Sequence, residues 1–279
     1  MTGPSAVARV LRPRSVAVLG ASEDKAKFGG RVTHYLIDHG FPGPVYPVNP
    51  KRETILGRRA YPDIAALPEP VDVAFLAVPP GILVETARAC AAAGTGCIVV
   101  LTTGFAESGE AEGAARQAAL LAALEGTGTR LLGPNCFGLI APPAKLALST
   151  SLILEAKPLL DGSVALVSQS GALMVAMIDR ARQSGIGFSA CVSVGNQADL
   201  ELCDFIEHLI DDTATGAICV YAEGFRDGAR FLAAAERCRA AGKPFLLTKV
   251  GRTEAGVRAA KSHTASLAGS YDALAAACE

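Results

Sequence analysis

The residues best equipped for chemistry in this 279-residue chain lie in three short stretches. One is Lys249–Ser270, KVGRTEAGVRAAKSHTASLAGS, which holds a single histidine, His263, among small residues and follows the apolar run Pro244–Leu247. A histidine on its own is more often structural than reactive. Two further stretches supply what a phosphorylated histidine needs: Glu223, in Ala222-Glu223-Gly224-Phe225, and the serine loop Ser168-Gln169-Ser170-Gly171. Neutral imidazole, with an ordinary pKa near ~6.5, attacks phosphorus through one nitrogen while the other donates its proton. A carboxylate such as Glu223 can accept that proton and fix the tautomer. The product carries about two negative charges and needs donors, which the backbone N–H groups and helix dipole at Ser170-Gly171 can provide. The same serine loop also suits an ordinary helix N-cap. Taken together, the three stretches spell a phosphoryl relay.

These residues must be positioned by strands. Ser15–Leu19, Val45–Val48, Val71–Val78 and Cys97–Leu101 are apolar, β-rich runs that alternate with helical segments at Arg31–His39, Ile82–Ala93 and near Glu110–Leu124, with Arg130–Leu132 following. The alternation predicts a doubly wound parallel sheet whose ligand crevice lies at the carboxyl ends of the strands. Those ends read Gly20-Ala21-Ser22-Glu23, Asn49-Pro50-Lys51, Val78-Pro79-Pro80, Thr102-Thr103-Gly104 and Gly133-Pro134-Asn135-Cys136. Each alone is an unremarkable turn, but five converging ends make a binding site. The loop at Gly20 is not G-x-G-x-x-G, and Lys51 stands where an NAD site favours an acid. A lysine there suits a phosphate-bearing adenosine.

Ala141-Pro142-Pro143 marks a change of register, dividing the chain into domains 1–142 and 143–279. After a less regular segment, strands at Gly162–Val167, Phe188–Val194, Gly216–Tyr221 and Lys243–Thr248 alternate with helices at Ala172–Arg182, Leu200–Leu209 and near Ala229–Ala241. The serine loop, Glu223 and the His263 stretch all follow carboxyl ends of strands in what should be one parallel sheet. The residues before Ser15 read as a lead-in to the first strand.

Composition excludes several classes. A formal net charge of −1 draws the chain to neither nucleic acid nor anionic membrane. No apolar run approaches the ~20 residues that span a bilayer. Eight cysteines without a C-x-x-C pair predict a reducing cytoplasm, with no disulfide framework and no metal site.

The ordered motifs are specific as a set. The GAS loop at Gly20–Ser22, Asn49-Pro50-Lys51, Val78–Pro80, GPNCFG at Gly133–Gly138, SQSG at Ser168–Gly171, SVGN at Ser193–Asn196, AEGF at Ala222–Phe225 and GRTEAG…SHTASLAG over Gly251–Gly269 span nearly the whole chain. In them the sequence resembles the NDP-forming acyl-CoA synthetases, relatives of the succinyl-CoA synthetase α subunit. The resemblance implies a Rossmann-like coenzyme A-binding domain followed by a flavodoxin-like parallel α/β domain. It implies coenzyme A at Gly20, Ala21, Ser22, Glu23, Lys51, Val78, Pro79, Thr102, Thr103, Gly104 and Asn135. By the same token His263 is the phosphorylated histidine, supported by Glu223, with Ser170 and Gly171 receiving the phosphoryl group. ATP or ADP and magnesium would be bound by an ATP-grasp unit outside this chain, which carries no G-x-x-x-x-G-K-[ST] loop. The chain is then a truncated polypeptide or one half of a two-part, oligomeric enzyme acting on a small carboxylic acid or its acyl-CoA. Val175 and Thr103 stand where the succinate enzymes have a tyrosine and a glutamate, so succinate does not carry over and the acid stays open. Two competing readings are a non-catalytic coenzyme A-sensing module of an acyltransferase, whose relatives lose the histidine, and an NAD oxidoreductase, argued against by Lys51.

Overall fold

The computed structural model describes residues 5–251. Its first sheet is wholly parallel and built from β1 (Val16–Leu19), β2 (Val45–Val48), β5 (Val73–Leu76), β6 (Cys97–Val100) and β7 (Arg130–Leu132), in the order β2-β1-β5-β6-β7. A small hairpin of β3 (Thr54–Ile55) and β4 (Arg58–Arg59) stands apart. β1, β5 and β6 are buried at every residue, as expected of parallel strands covered on both faces. Their cover comes from α2 (Phe28–Asp38), α3 (Pro80–Ala92) and α4 (Ala111–Ala122). The strand order reverses direction between β1 and β5, which puts the switch-point crevice beside Gly20 and Ala77.

The second sheet has the order β13-β12-β10-β11-β8-β9, with β8 at Gly138–Ala141, β9 at Leu146–Ser149, β10 at Asp161–Ser168, β11 at Phe188–Ser193, β12 at Ala217–Ala222 and β13 at Phe245–Lys249. Four of these strands are parallel, flanked by α5 (Gly171–Gln183), α6 (Leu202–Asp211) and α7 (Gly228–Ala240). Here the switch point lies between β10 and β12, whose register pairs Ser168 with Tyr221.

Three details differ from the sequence reading. The sheet is mixed rather than wholly parallel, because β8 pairs antiparallel with both β11 and β9. The segment read as less regular therefore contains an edge strand, which alternation could not reveal because all four residues of β9 are buried. Residues before β1 form a helix, α1 (Ala6–Leu11), rather than an extended lead-in: the Ser5 hydroxyl accepts the Ala8 N–H at 3.2 Å, and Val7, Val10 and Leu11 are buried. By sheet membership the chain changes over between Leu132 and Gly138, a few residues before the division read at 142.

The two sheets are stitched along β7. The main chain after β11 runs beside it, with Leu200 N–H donating to Leu131 O at 3.0 Å and Ala198 N–H to Gly133 O at 3.2 Å. Asp199 reinforces the seam by accepting from Arg130 Nη2 at 2.7 Å and from the Leu131 N–H at 2.8 Å. A continuous apolar core, including Val18, Phe75 and Val99 from the first sheet and Val167, Val192 and Val220 from the second, runs through both halves.

Candidate functional site

At the end of β10 the chain turns sharply into α5. Ser170 is the N-cap: its Oγ accepts the Leu173 N–H at 3.3 Å, and its carbonyl accepts Ser168 Oγ–H at 2.7 Å. The ordinary capping role is thus real, but it takes only one of the first-turn donors. The N–H groups of Gly171 and Ala172 belong to the turn that has no intrahelical acceptors, and no acidic side chain sits in that turn. Gly171 is obligatory in this geometry, since a Cβ there would lie 2.2 Å from the Phe137 ring. The junction therefore presents backbone donors at the positive end of a 13-residue helix.

Glu223 lies just past the end of β12, across the switch point, and is 5% exposed. The side chain of Gln169, the residue between Ser168 and Ser170, crosses the gap. Its Oε1 accepts the Glu223 N–H and, at 2.9 Å, the Gly224 N–H. On the far side, β13 brings Lys249 into register with Ala222. Lys249 Nζ donates to the carbonyls of Glu223 at 2.9 Å and Val250 at 2.6 Å. Burial lowers the Lys249 ammonium pKa, and the nearby Glu223 charge opposes that shift. β13 thus delivers the chain beside Glu223 and into the stretch that carries His263. His263 itself lies outside the described residues.

The expected coenzyme A residues fall into distinct roles. Gly20, with φ +83°, and Ala21 form the floor of the turn: a Cβ on Gly20 would sit 2.3 Å from Ala77 O, and Asn49 Nδ2 donates to Ala21 O at 2.8 Å. Ser22 and Glu23 line a polar cleft of about 390 Å³ together with Asp24, Lys27, Asn49 and Arg52. Its cations are therefore Lys27 and Arg52. Lys51 is exposed and does not line that cleft; its N–H donates to Asn49 Oδ1 at 2.9 Å. Val78, Thr102, Thr103 and Asn135 line a second, larger cleft of about 830 Å³ that reaches Ala172 and Val175 on α5. Pro79 and Gly104 line neither. Gly104 instead shapes its loop, with φ +86° and its N–H donated to Glu107 Oε1 at 2.6 Å. The polar cleft thus sets Lys27 and Arg52 beside Glu23, Asp24 and the small-residue turn, and the larger cleft leads to the α5 N-terminus.

Comparison with known proteins agrees with this geometry. The CoA binding domain family matches residues 14–142, and the succinyl-CoA ligase like flavodoxin domain family matches residues 161–279. The ADP-forming acetate–CoA ligase I of Archaeoglobus fulgidus is 39% identical over 269 residues, covering 96% of this chain and 38% of that protein. The α subunit of the ADP-forming acetate–CoA ligase II of Pyrococcus furiosus is 40% identical over 259 residues, covering 93% of this chain and 55% of that subunit. The chain belongs to the NDP-forming acyl-CoA synthetase family. Among solved structures of this family, the apo acetyl-coenzyme A synthetase 1 of Candidatus Korarchaeum cryptofilum superposes with a TM-score of 0.89 at 38% identity, covering 96% of this chain and 57% of that one. The chain thus spans about two fifths to three fifths of the length of these relatives.

Within this acyl-CoA synthetase fold, several site-forming residues had no role in the sequence reading. Gln169 is the clearest, a buried amide at a strand's carboxyl end beside a small-residue loop. Asn196, in the SVGN motif, is a second. Its Nδ2 donates to Glu107 and, at 3.0 Å, to Gln117 Oε1, and its Oδ1 accepts from Asn135 Nδ2 at 3.2 Å. Asn196 therefore couples the loop after β11 to the two loops that carry Thr103 and Asn135. The signal for such residues is a hydrogen-bonding side chain inside a motif that already ends a strand.

A further cleft of about 990 Å³, lined by Arg130, Asp199, Glu201 and Arg230 among others, holds none of the expected residues, and these four are paired with one another. Of the seven cysteines among the described residues, six are buried, and burial pushes the Cys136 thiol up to about 12, so it is no nucleophile near neutrality. Among the described residues no cluster of three or more His, Cys, Asp or Glu could hold a metal ion, and no helix is long and apolar enough to cross a membrane.

Proposed function

We propose that this chain is the coenzyme A-binding and phosphohistidine-carrying part of an NDP-forming acyl-CoA synthetase, which interconverts carboxylic acid, coenzyme A and ATP with acyl-CoA, ADP and phosphate. The observation that carries the reading is the convergence at one switch point of Glu223, the α5 N-terminus at Ser170-Gly171 and the strand that leads to His263.

In the direction of ATP formation, phosphate attacks the thioester carbonyl of acyl-CoA, releasing coenzyme A thiol and leaving an acyl phosphate. A His263 ring nitrogen then attacks that phosphorus; the P–O bond to the acyl group breaks and the free carboxylate departs. Glu223 holds the proton on the other ring nitrogen, so the nucleophilic lone pair faces phosphorus. The Gly171 and Ala172 N–H groups and the α5 dipole balance the phosphoryl charge. ADP finally accepts the phosphoryl group from the histidine. The N-terminal domain is the unit for coenzyme A and the C-terminal domain the unit for the relay. The nucleotide and its magnesium ion belong to an ATP-grasp unit, either on a partner subunit or on a further segment, in a cytoplasmic oligomer.

The test is to incubate the complete enzyme with labelled ATP and magnesium. The expected product is an acid-labile, base-stable phosphoprotein, and His263→Asn abolishes the label. Label retained in His263→Asn would refute the assignment.

A further inference from the structure

We infer that Lys249 is a positioning residue of the phosphoryl relay, gripping the Glu223 carbonyl while Gln169 grips the Glu223 N–H; this rests on the function proposed above. The β12–β13 ladder pairs Ala222 with Lys249, and the Val250 N–H donates to Ala222 O at 3.1 Å. Glu223 lies one residue beyond that last pair and is buried. A peptide group buried past the end of a ladder still needs partners for its N–H and C=O. Two side chains supply them. Gln169 Oε1, from the loop before α5, accepts the N–H. Lys249 Nζ, from the end of β13, donates to the carbonyl at 2.9 Å.

The strand pattern singles this lysine out. Side chains at alternate positions of a strand share one face, so Phe245, Leu247 and Lys249 form one row on β13. Phe245 and Leu247 pack on the apolar core, and the Phe245 ring centroid lies 5.8 Å from that of Phe231 on α7. Leu246 and Thr248, on the opposite face, are exposed. Lys249 thus stands where the alternation calls for a third apolar residue. Burial lowers the pKa of its ammonium, and the Glu223 charge opposes that shift. Desolvating a charge is costly unless hydrogen bonds replace the lost water. A residue that breaks its element's pattern at such a cost is expected at a functional site.

The second hydrogen bond gives the grip its direction. Lys249 Nζ also donates to the carbonyl of Val250, the first residue after β13, at 2.6 Å. One ammonium therefore joins the Glu223 peptide to the start of the segment that carries His263. Gln169 joins the same peptide to the loop that caps α5. Removing the ammonium releases Glu223 on the histidine side alone, and a shift of about 1 Å in a catalytic group costs about 100-fold in rate.

The experiment follows phosphohistidine formation by the complete enzyme from labelled ATP and magnesium, in rapid-quench mixing, for wild type, Lys249→Met and Lys249→Arg. Methionine keeps an unbranched stem without donors or charge, whereas arginine keeps both. Lys249→Met should slow labelling by about 10- to 100-fold, the scale of a misplaced catalytic group. Lys249→Arg should recover most of that loss. Coenzyme A affinity, measured by isothermal titration, should be equal in all three proteins. An unchanged rate in Lys249→Met, or an equal defect in Lys249→Arg, overturns the inference. Loss of coenzyme A binding together with labelling in Lys249→Met also overturns it, because the lysine would then support the fold at large. Label formed by the wild type and insensitive to Lys249→Met removes only this inference. No label in the wild-type enzyme removes the proposed function and this inference with it.

Discussion

Gln169 and Glu223 are joined across the switch point by a side-chain amide oxygen that accepts two consecutive main-chain N–H groups, those of Glu223 and Gly224. Because Gln169 immediately precedes Ser170 and Gly171, one side chain sets the spacing between the carboxylate loop and the helix N-terminus. The β10–β12 ladder pairs Ser168 with Tyr221 as its last partners, and the Gln169 N–H donates to Tyr221 O at 3.1 Å just beyond them.

Replacing Gln169 by leucine strands these two N–H donors in a site that is 7% exposed at Gln169. Each orphaned donor costs about 1–3 kcal/mol. Glutamate keeps an acceptor oxygen at the same reach. The expected outcome is that Gln169→Leu slows phosphohistidine formation in rapid-quench labelling by at least about tenfold, and that Gln169→Glu recovers most of the loss. Equal defects in both variants would show that the acceptor is not what matters.

Gly20 tests the floor of the coenzyme A crevice. Its φ of +83° disfavours any side chain, and a Cβ would meet Ala77 O at 2.3 Å, a backbone atom that cannot swing aside. Gly20→Ala should cost about 1–3 kcal/mol from strain and overpacking. Isothermal titration with coenzyme A should show weaker binding, because the β1 turn and the β5 end can no longer approach. Unchanged affinity with unchanged urea midpoint would show the turn to be tolerant.

Acid stability should depend on Asp72, at the start of the strand β5. Its carboxylate accepts from Arg14 Nε at 2.9 Å, Nη2 at 3.0 Å and the Arg14 N–H at 2.8 Å. The Arg14 side-chain bonds are the main cause holding the Asp72 pKa below the ordinary 3.8, against the opposing effect of burial. A depressed folded-state pKa means that the stabilisation is complete above 3.8 and is lost as pH falls through the lowered value. Arg14 is largely exposed, so solvent screens the pair and the effect is modest. The urea midpoint of the wild type should exceed that of Asp72→Asn at pH 6 and the two should converge as pH drops below 3.8. A constant difference down to pH 2 would exclude this ion pair as the cause.

Much of the fold is legible in local pattern, for reasons visible at particular residues. The runs at β1, β5 and β6 are apolar throughout because both faces of a parallel sheet are covered, and glycines at 40 and 94 close the preceding helices with positive φ. The edge strand β9 escaped because Leu146–Ser149 is short, fully buried and pairs antiparallel with β8, so it has neither alternation nor a following helix. Helix α1 escaped because six residues with a serine cap and no acidic first turn carry little periodic signal.

The site divides along the same line. Sequence alone determined which residue types stand at the strand ends: the serine loop, Glu223, the small turn at Gly20 and a histidine after the last described strand. Only the tertiary structure decided which of them meet. It put Glu223 and Ser170 on two sides of one switch point, made Gln169 the bridge, and replaced Lys51 by Lys27 and Arg52 as the cations of the polar cleft. The physical reason is range. Strand propensity, capping and turn chemistry act over a few neighbouring residues, whereas 54 positions separate Gln169 from the Glu223 N–H it accepts, and only the order of strands in the sheet brings such pairs together.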